Sequence, residues 1–254
     1  MSTGKPVYRR ILLKLSGEAL CQPGADAGNA LASEALTAIA NDIRQVTELG
    51  VQVGLVVGGG NFFRGIKGVQ RGIARTTGDY IGMLATVMNG LAMRDALKAN
   101  GVPSVLQSAF AIAGVTEPFH NQRAVELLEQ GTAVLFAGGT GHPFFTTDTT
   151  AALRACEIGA DAVLKATKVD GVYSADPRQE GEAVRFESLT YTDALQKRLA
   201  VMDSTAFSLC MDNSIPVVVF NFSRPECLLR VVRGDTSLAT VVGSDTSVAK
   251  EKGE

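Results

Sequence analysis

Val51-Gln52-Val53-Gly54-Leu55-Val56-Val57-Gly58-Gly59-Gly60-Asn61 runs from a β-branched, mostly apolar segment straight into three glycines. The run is too short for a buried helix and too apolar for a surface strand, so it predicts a strand covered on both faces, as in a parallel sheet. The glycines then remove every side chain from the turn. A turn of that kind can simply be a tight connection, but it also lets backbone N–H groups approach an anion closely. Arg64, four residues on, would supply a compensating charge.

Working outward, short runs rich in Val, Ile and Leu alternate with longer amphipathic stretches, the pattern of strands joined by helices. Strands are expected at Ile11 to Leu15, Val51 to Val57, Val102 to Gln107, Ala133 to Ala137, Ala162 to Lys165 and Val217 to Phe220. Ser33 to Leu49 reads as a helix capped by Ser33, with Leu36, Ile39, Ile43 and Val46 on one face and Gly50 as its stop. Asp79 to Asn100 reads as the longest helix, with Ile81, Leu84, Met88 and Leu91 as one packing face. Met83, Met88 and Met93 on it are expected to pack in the core or against another subunit. Asp170-Gly171 between Val169 and Val172 predicts a small hairpin.

Composition bounds the function. The chain has 254 residues, 46% apolar and 20% charged, enough for a sizeable core. Lys and Arg number 24 against 26 Asp and Glu, so no global basic field is present to hold nucleic acid or an anionic membrane. No apolar stretch is long enough to span a bilayer, and Met1 to Pro6 lacks the apolar core of a secretion signal, so a cytoplasmic setting is expected. Cys21, Cys156, Cys210 and Cys227 form no C-x-x-C pair and only His120 and His142 could join them, which predicts buried thiols and no structural zinc site.

Four glycine-containing or basic turns follow predicted strands: Lys14-Leu15-Ser16-Gly17, Gly58 to Gly65, Gly138 to Asp148, and the segment from Lys165. In a parallel sheet the carboxyl ends of strands share one edge, where ligands bind. The four turns should therefore converge, bringing Lys14, Arg64 and Lys165 together with Asp148. Three cations around a carboxylate suit phosphoryl transfer, in which charge spreads over the oxygens of the moving group and the protein's task is positioning and electrostatics. Lys14 stands out because it follows Ile11, Leu12 and Leu13 in an apolar strand, where an unpaired ammonium is costly. The Walker pattern G-x-x-x-x-G-K-[ST], the dinucleotide pattern G-x-G-x-x-G and the protein-kinase H-R-D and D-F-G pair are all missing. Thr147-Asp148-Thr149 has the look of a helix start, itself an anion site.

The segments Ile11 to Leu20, Gly58 to Gly65, Gly82 to Leu97, Gly141 to Asp148 and Leu164 to Tyr173 closely resemble the bacterial uridylate kinases of the amino acid kinase superfamily. That resemblance implies a three-layer α/β/α sandwich around a mostly parallel sheet, in hexamers that make UDP from UMP and ATP. A lobe boundary is expected near Lys165, where the Asp170-Gly171 segment interrupts the strand–helix alternation, and the polar tail over 244–254 is expected to fray. The resemblance implies a single domain over 1–254, with UMP and subunit contacts in the N-terminal lobe to about residue 164 and ATP in the C-terminal lobe of about 165–243.

Carried over residue by residue, it implies that Lys14, Leu15, Ser16, Gly17 and Gly60 surround the ATP phosphates, that Arg64 contacts phosphate near the transfer point, and that Thr167, Tyr173 and Asp176 line the nucleoside end of ATP. Gly59, Asp79, Thr140, Gly141, His142, Pro143, Phe144, Phe145, Thr146 and Thr147 would hold UMP, with Asp79 accepting from ribose hydroxyls. Lys14, Arg64, Asp148 and Lys165 would be the catalytic set, Asp148 organising the two lysines. Mg²⁺ is expected with ATP, without a dedicated protein cage. UTP inhibition is implied because UTP carries the same uracil. GTP activation belongs to many Gram-negative members, yet Cys21-Gln22-Pro23-Gly24-Ala25-Asp26-Ala27-Gly28-Asn29-Ala30 departs from the stretch associated with it. A superfamily kinase acting on a carboxylate or carbamate, and a catalytically silent nucleotide sensor, are the alternative readings.

Overall fold

The computed structural model describes residues 5–21, 30–63, 72–175, 183–199, 201–224, 226–243 and, for the backbone, 248–249. Among the described residues ten strands form one sheet: β1 (Arg10–Leu15), β2 (Gln52–Val57), β3 (Ser104–Ser108), β4 (Glu117–Pro118), β5 (Ala133–Ala137), β6 (Ala162–Thr167), β7 (Phe186–Leu189), β8 (Val217–Asn221), β9 (Ala239–Val242) and β10 (Val248–Ala249). Their spatial order is β10-β7-β9-β8-β6-β1-β2-β5-β3-β4. Among the described strand pairs of this sheet, β8–β9 and β7–β10 are antiparallel and the others parallel. The parallel centre, β3-β5-β2-β1-β6-β8, contains all six strands expected from the apolar runs.

The helices are α1 (Ser33–Glu48), α2 (Arg75–Ala99), α3 (Asn121–Glu129), α4 (Thr147–Ile158), α5 (Tyr191–Gln196), α6 (Ser204–Asp212) and α7 (Cys227–Val232). Because side chains alternate across a strand, the sheet feeds two cores. Ile11, Leu13, Leu15, Leu55 and Leu164 pack with α1, α2 and α7. Leu12, Val56, Val134 and Val163 pack with α3, α4, α5 and α6 on the other face. The result is the expected three-layer sandwich.

Three local readings are corrected. Ser33 is the first helical residue of α1, not its cap; Ala32 takes the cap position with no side-chain bond. The face expected to carry Ile81, Leu84, Met88 and Leu91 together is split: Leu84 and Met88 are each 49% exposed, with Tyr80 beside them at 48%, whereas Leu91 packs against the core with Val87, Met93 and Leu97, and Met83 is buried at the cleft described below. Asp170-Gly171 does not turn a hairpin between Val169 and Val172. The antiparallel bridge lies further on, between Tyr173 and Arg185, with Ser174 N–H donating to Val184 O and Phe186 N–H to Val172 O. Of the cysteines, Cys210 and Cys227 are buried as expected, but Cys21 and Cys156 are only half-buried.

Candidate active site

β1 and β6 are neighbours in register, and the register sets Lys14 directly against Lys165. Like charges placed so across a sheet repel. Both side chains share a face with Leu12 and Val163, the face covered by α4. Asp148, in the first turn of α4, meets them there: its Oδ1 lies 2.8 Å from Lys14 Nζ and its Oδ2 2.7 Å from Lys165 Nζ. Lys165 also donates to Val201 O at 2.6 Å. Burial opposes the charge on Asp148, but the two ammonium groups overcome it and hold the carboxyl below the ordinary aspartate range. Burial pulls Lys165 below the usual lysine value, with Asp148 opposing that shift. The positive end of α4 favours the carboxylate further.

The glycine turns do converge. A Cβ on Gly17 would stand 2.5 Å from Gly58 O and 3.0 Å from Gly60 N, so the first two turns are in backbone contact. Asn89, fully buried on α2, donates to Gly58 O at 2.6 Å and trades amide bonds of 2.7 and 2.9 Å with Asn61. Asn61 also donates to Ala30 O at 2.8 Å. None of Gly58, Gly59 and Gly60 has a positive φ; what this turn requires is closeness, since a Cβ on Gly59 would come within 2.6 Å of Gly82 O on α2. The third turn differs, with Gly138, Gly139 and Gly141 at φ of 74°, 60° and 84°. Its Gly138 N–H is fixed by the Thr86 hydroxyl at 2.8 Å.

Between these parts lies a cleft of about 250 Å³, lined by the Gly59-Gly60 turn, the α2 residues Arg75, Asp79, Met83 and Thr86, and the loop residues Gly139, His142, Phe145, Thr146 and Thr147. Phe63, Gly78 and Gly82 complete it. Gly60, expected on the donor side, therefore lines the same cleft as Gly59. Asp79 accepts from Arg75 Nε and, at 2.9 Å, from Phe144 N–H, which clamps the loop to α2. Phe144, at φ 73°, stands under the Arg75 guanidinium and outside the lining set, as do Thr140, Gly141 and Pro143. Thr140 Oγ1 is engaged with the backbone of His142. Thr146 caps α4, accepting from Asp148 and Thr149 N–H groups at 3.0 and 3.2 Å, and its hydroxyl donates to Asp203.

On the other side of the lysines, Ser16 and Gly17 follow β1 at the strand edge, but the Leu15 side chain is wholly in the core, leaving only its backbone there. Thr167 closes its own turn, donating to Val169 O and accepting from Val169 N–H. Tyr173 OH donates to Asp170 Oδ1 at 2.6 Å. Burial and the bond to Asp170 push this phenol up. Arg64, Asp176 and the 22–29 stretch lie outside the described residues.

Sequence reasoning missed Arg75, Thr86, Asn89 and Asp203. Arg75 was four residues from Asp79 on one helix face and was legible from spacing. Asn89 left only a weak signal, a lone amide at a helix position that folding buries.

The sequence of residues 9–221 matches the model of the amino acid kinase family. The chain is 52% identical over 247 residues to a uridylate kinase of Legionella pneumophila strain Corby, covering 96% of this chain and 98% of the relative. Among solved structures, a UMP kinase from Bacillus anthracis superposes with a TM-score of 0.91 at 37% identity, covering 96% of this chain and 99% of that one. One from Ureaplasma parvum gives 0.87 at 32% identity, over 93% and 99%. The paired lysines on one parallel-sheet edge thus sit in a chain whose fold and sequence agree: it belongs to the amino acid kinase family, among its uridylate kinases.

Proposed function

We propose that this enzyme transfers the γ-phosphoryl group of ATP to the phosphate of UMP, in line and without a covalent intermediate, giving UDP and ADP for pyrimidine nucleotide synthesis. The observation that carries the reading is the Lys14–Asp148–Lys165 triad at the strand edge, 2.8 and 2.7 Å apart and adjoining a cleft that can seat a mononucleotide. Two ammonium groups held by one carboxylate leave net positive charge where the migrating group's charge spreads, and their fixed placement minimises reorganisation. No residue has to remove a proton, because the acceptor is already a phosphate. UMP occupies the cleft, with Asp79 retaining acceptor capacity for ribose hydroxyls beyond its bonds to Arg75 and Phe144. ATP lies over Ser16, Gly17, Thr167 and Tyr173, with Arg64 and Asp176 added from the resemblance.

The described residues offer no cage for Mg²⁺. Among the described residues no group of three His, Cys, Asp or Glu gathers, and both Asp148 oxygens face ammonium groups. Mg²⁺ in this reading accompanies ATP and is not a resident ion of the protein.

The same proposal includes the two lobes meeting near residue 165, UTP inhibition through the uracil pocket, a cytoplasmic setting and a homohexamer. The exposed Tyr80, Leu84 and Met88 stripe on α2 supports assembly, since it lies on the outside of one copy. Among the described residues no helix is long and apolar enough to cross a membrane. Because Cys21 to Ala30 departs from the stretch associated with GTP activation, the response to GTP is left to the assay that follows.

A coupled assay for ADP with UMP, CMP, N-acetylglutamate and carbamate as acceptors, with and without UTP and GTP, tests the reading. Strong preference for UMP and inhibition by UTP are expected. Turnover of a carboxylate or carbamate, or nucleotide binding with no UDP formed, would establish one of the alternatives instead.

A further inference from the structure

Arg185 is 5% exposed, and among the described residues its guanidinium donates to three backbone carbonyls: Asp170 O at 3.0 Å, Ala239 O at 2.9 Å and Ser237 O at 2.8 Å. A cation buried this way is costly unless its planar donors are well used, so an arginine kept here has a geometric task. Its three acceptors come from two separate pieces of chain, the 170–173 segment after β6 and the entry to β9. The 170–173 segment is held tightly on the same side. Thr240 Oγ1 accepts from Val172 N–H at 2.9 Å, and a Cβ on Gly171 would fall 2.3 Å from that oxygen and 2.9 Å from Arg185 Cδ. Tyr173 pairs with Arg185 across the antiparallel bridge. The Asp170 carboxylate accepts from Tyr173 OH at 2.6 Å and pairs with Arg224 at 3.5 Å, and the Arg185 charge also favours its ionised form.

We infer that Arg185 is a positioning residue for the donor nucleotide: by gripping Asp170 O, it fixes the Asp170–Tyr173 unit that faces the nucleoside end of ATP. It touches no substrate. The inference rests on the proposed placement of ATP over Tyr173. The acceptor cleft shares none of its lining with this cluster, so the effect is selective for one substrate.

The test compares Arg185→Met, Arg185→Lys and Tyr173→Phe by steady-state kinetics in both substrates, with amide hydrogen exchange of Val172 and Ser174 alongside. Arg185→Met is expected to raise KM for ATP about tenfold, to leave KM for UMP within about twofold, and to speed exchange at Val172. Arg185→Lys, which keeps the charge but loses the fork, should recover part of the ATP effect; it also carries the test if the methionine variant does not fold. Equal rises in both KM values, or lowered thermal stability with KM for ATP unchanged in the lysine and methionine variants, would overturn the inference. Tyr173→Phe separates the premise: unchanged KM for ATP there removes the donor placement itself, whereas a raised value with a silent Arg185 series removes only the role of Arg185.

Discussion

Lys14 and Lys165 sit opposite one another on paired strands, and Asp148, which pairs with both, offsets their repulsion, with Val201 O accepting from Lys165 as well. Replacing Lys14 by Ala should lower kcat by about two to three orders of magnitude while the circular dichroism stays native, since a preorganised cation at the migrating group is lost. Asp148→Asn removes what holds the Lys165 pKa up, so that pKa falls further. If protonated Lys165 serves the reaction, the alkaline limb of the pH–kcat profile moves to lower pH in this variant, and an unmoved limb would show that Lys165 does not titrate in turnover. Stability has its own sign. Because the folded-state value of Asp148 is depressed, its contribution is present above the unfolded carboxylate range and is lost as pH falls through the lowered value. Urea denaturation across roughly pH 2 to 6 should show a shallower acid decline for Asp148→Asn than for the wild type. Lys14 was legible in the sequence for a physical reason, an ammonium following Ile11, Leu12 and Leu13 that needed a partner. Asp203 and Val201 were not, because their bonds to Thr146 and Lys165 cross 57 and 36 residues of chain.

At the scale of elements, α2 is the scaffold of the acceptor side. It carries Arg75 and Asp79 to the cleft mouth, Thr86 to Gly138, and Asn89 to the triple-glycine turn. Asn89→Ala would leave Gly58 O and the Asn61 amide without their buried partner, and we expect a loss of about 1–3 kcal/mol in denaturant titration. The apolar periodicity announced this helix but not how each residue of the expected face is covered, since Leu84 and Met88 stand exposed while Leu91, at the same helical spacing, packs against the core. Hydrophobicity says that a face is covered and not by what. The short strands β4, β7 and β9 escaped for a related reason: four residues or fewer carry too little alternation to separate from loops.

For the whole molecule, the layered sheet explains why distant glycine segments work as one site. Strands β6, β1, β2 and β5 are consecutive and parallel in the sheet, so all deliver their following turns to a single edge. The exposed α2 stripe then predicts assembly. Leu84→Glu should yield smaller particles by light scattering after size exclusion, and an unchanged mass would place the subunit contact elsewhere. The parallel architecture was readable from six apolar runs, whereas the division of the edge between two nucleotides rested on resemblance. That division is the central claim, and Asp79 tests it because its carboxylate clamps the acceptor loop while lying away from the lysine triad. The most direct measurement is the KM for each substrate in Asp79→Asn. A KM for UMP raised at least about tenfold, with KM for ATP near the wild-type value, is the predicted result; a rise confined to ATP would contradict the assignment of the two sites.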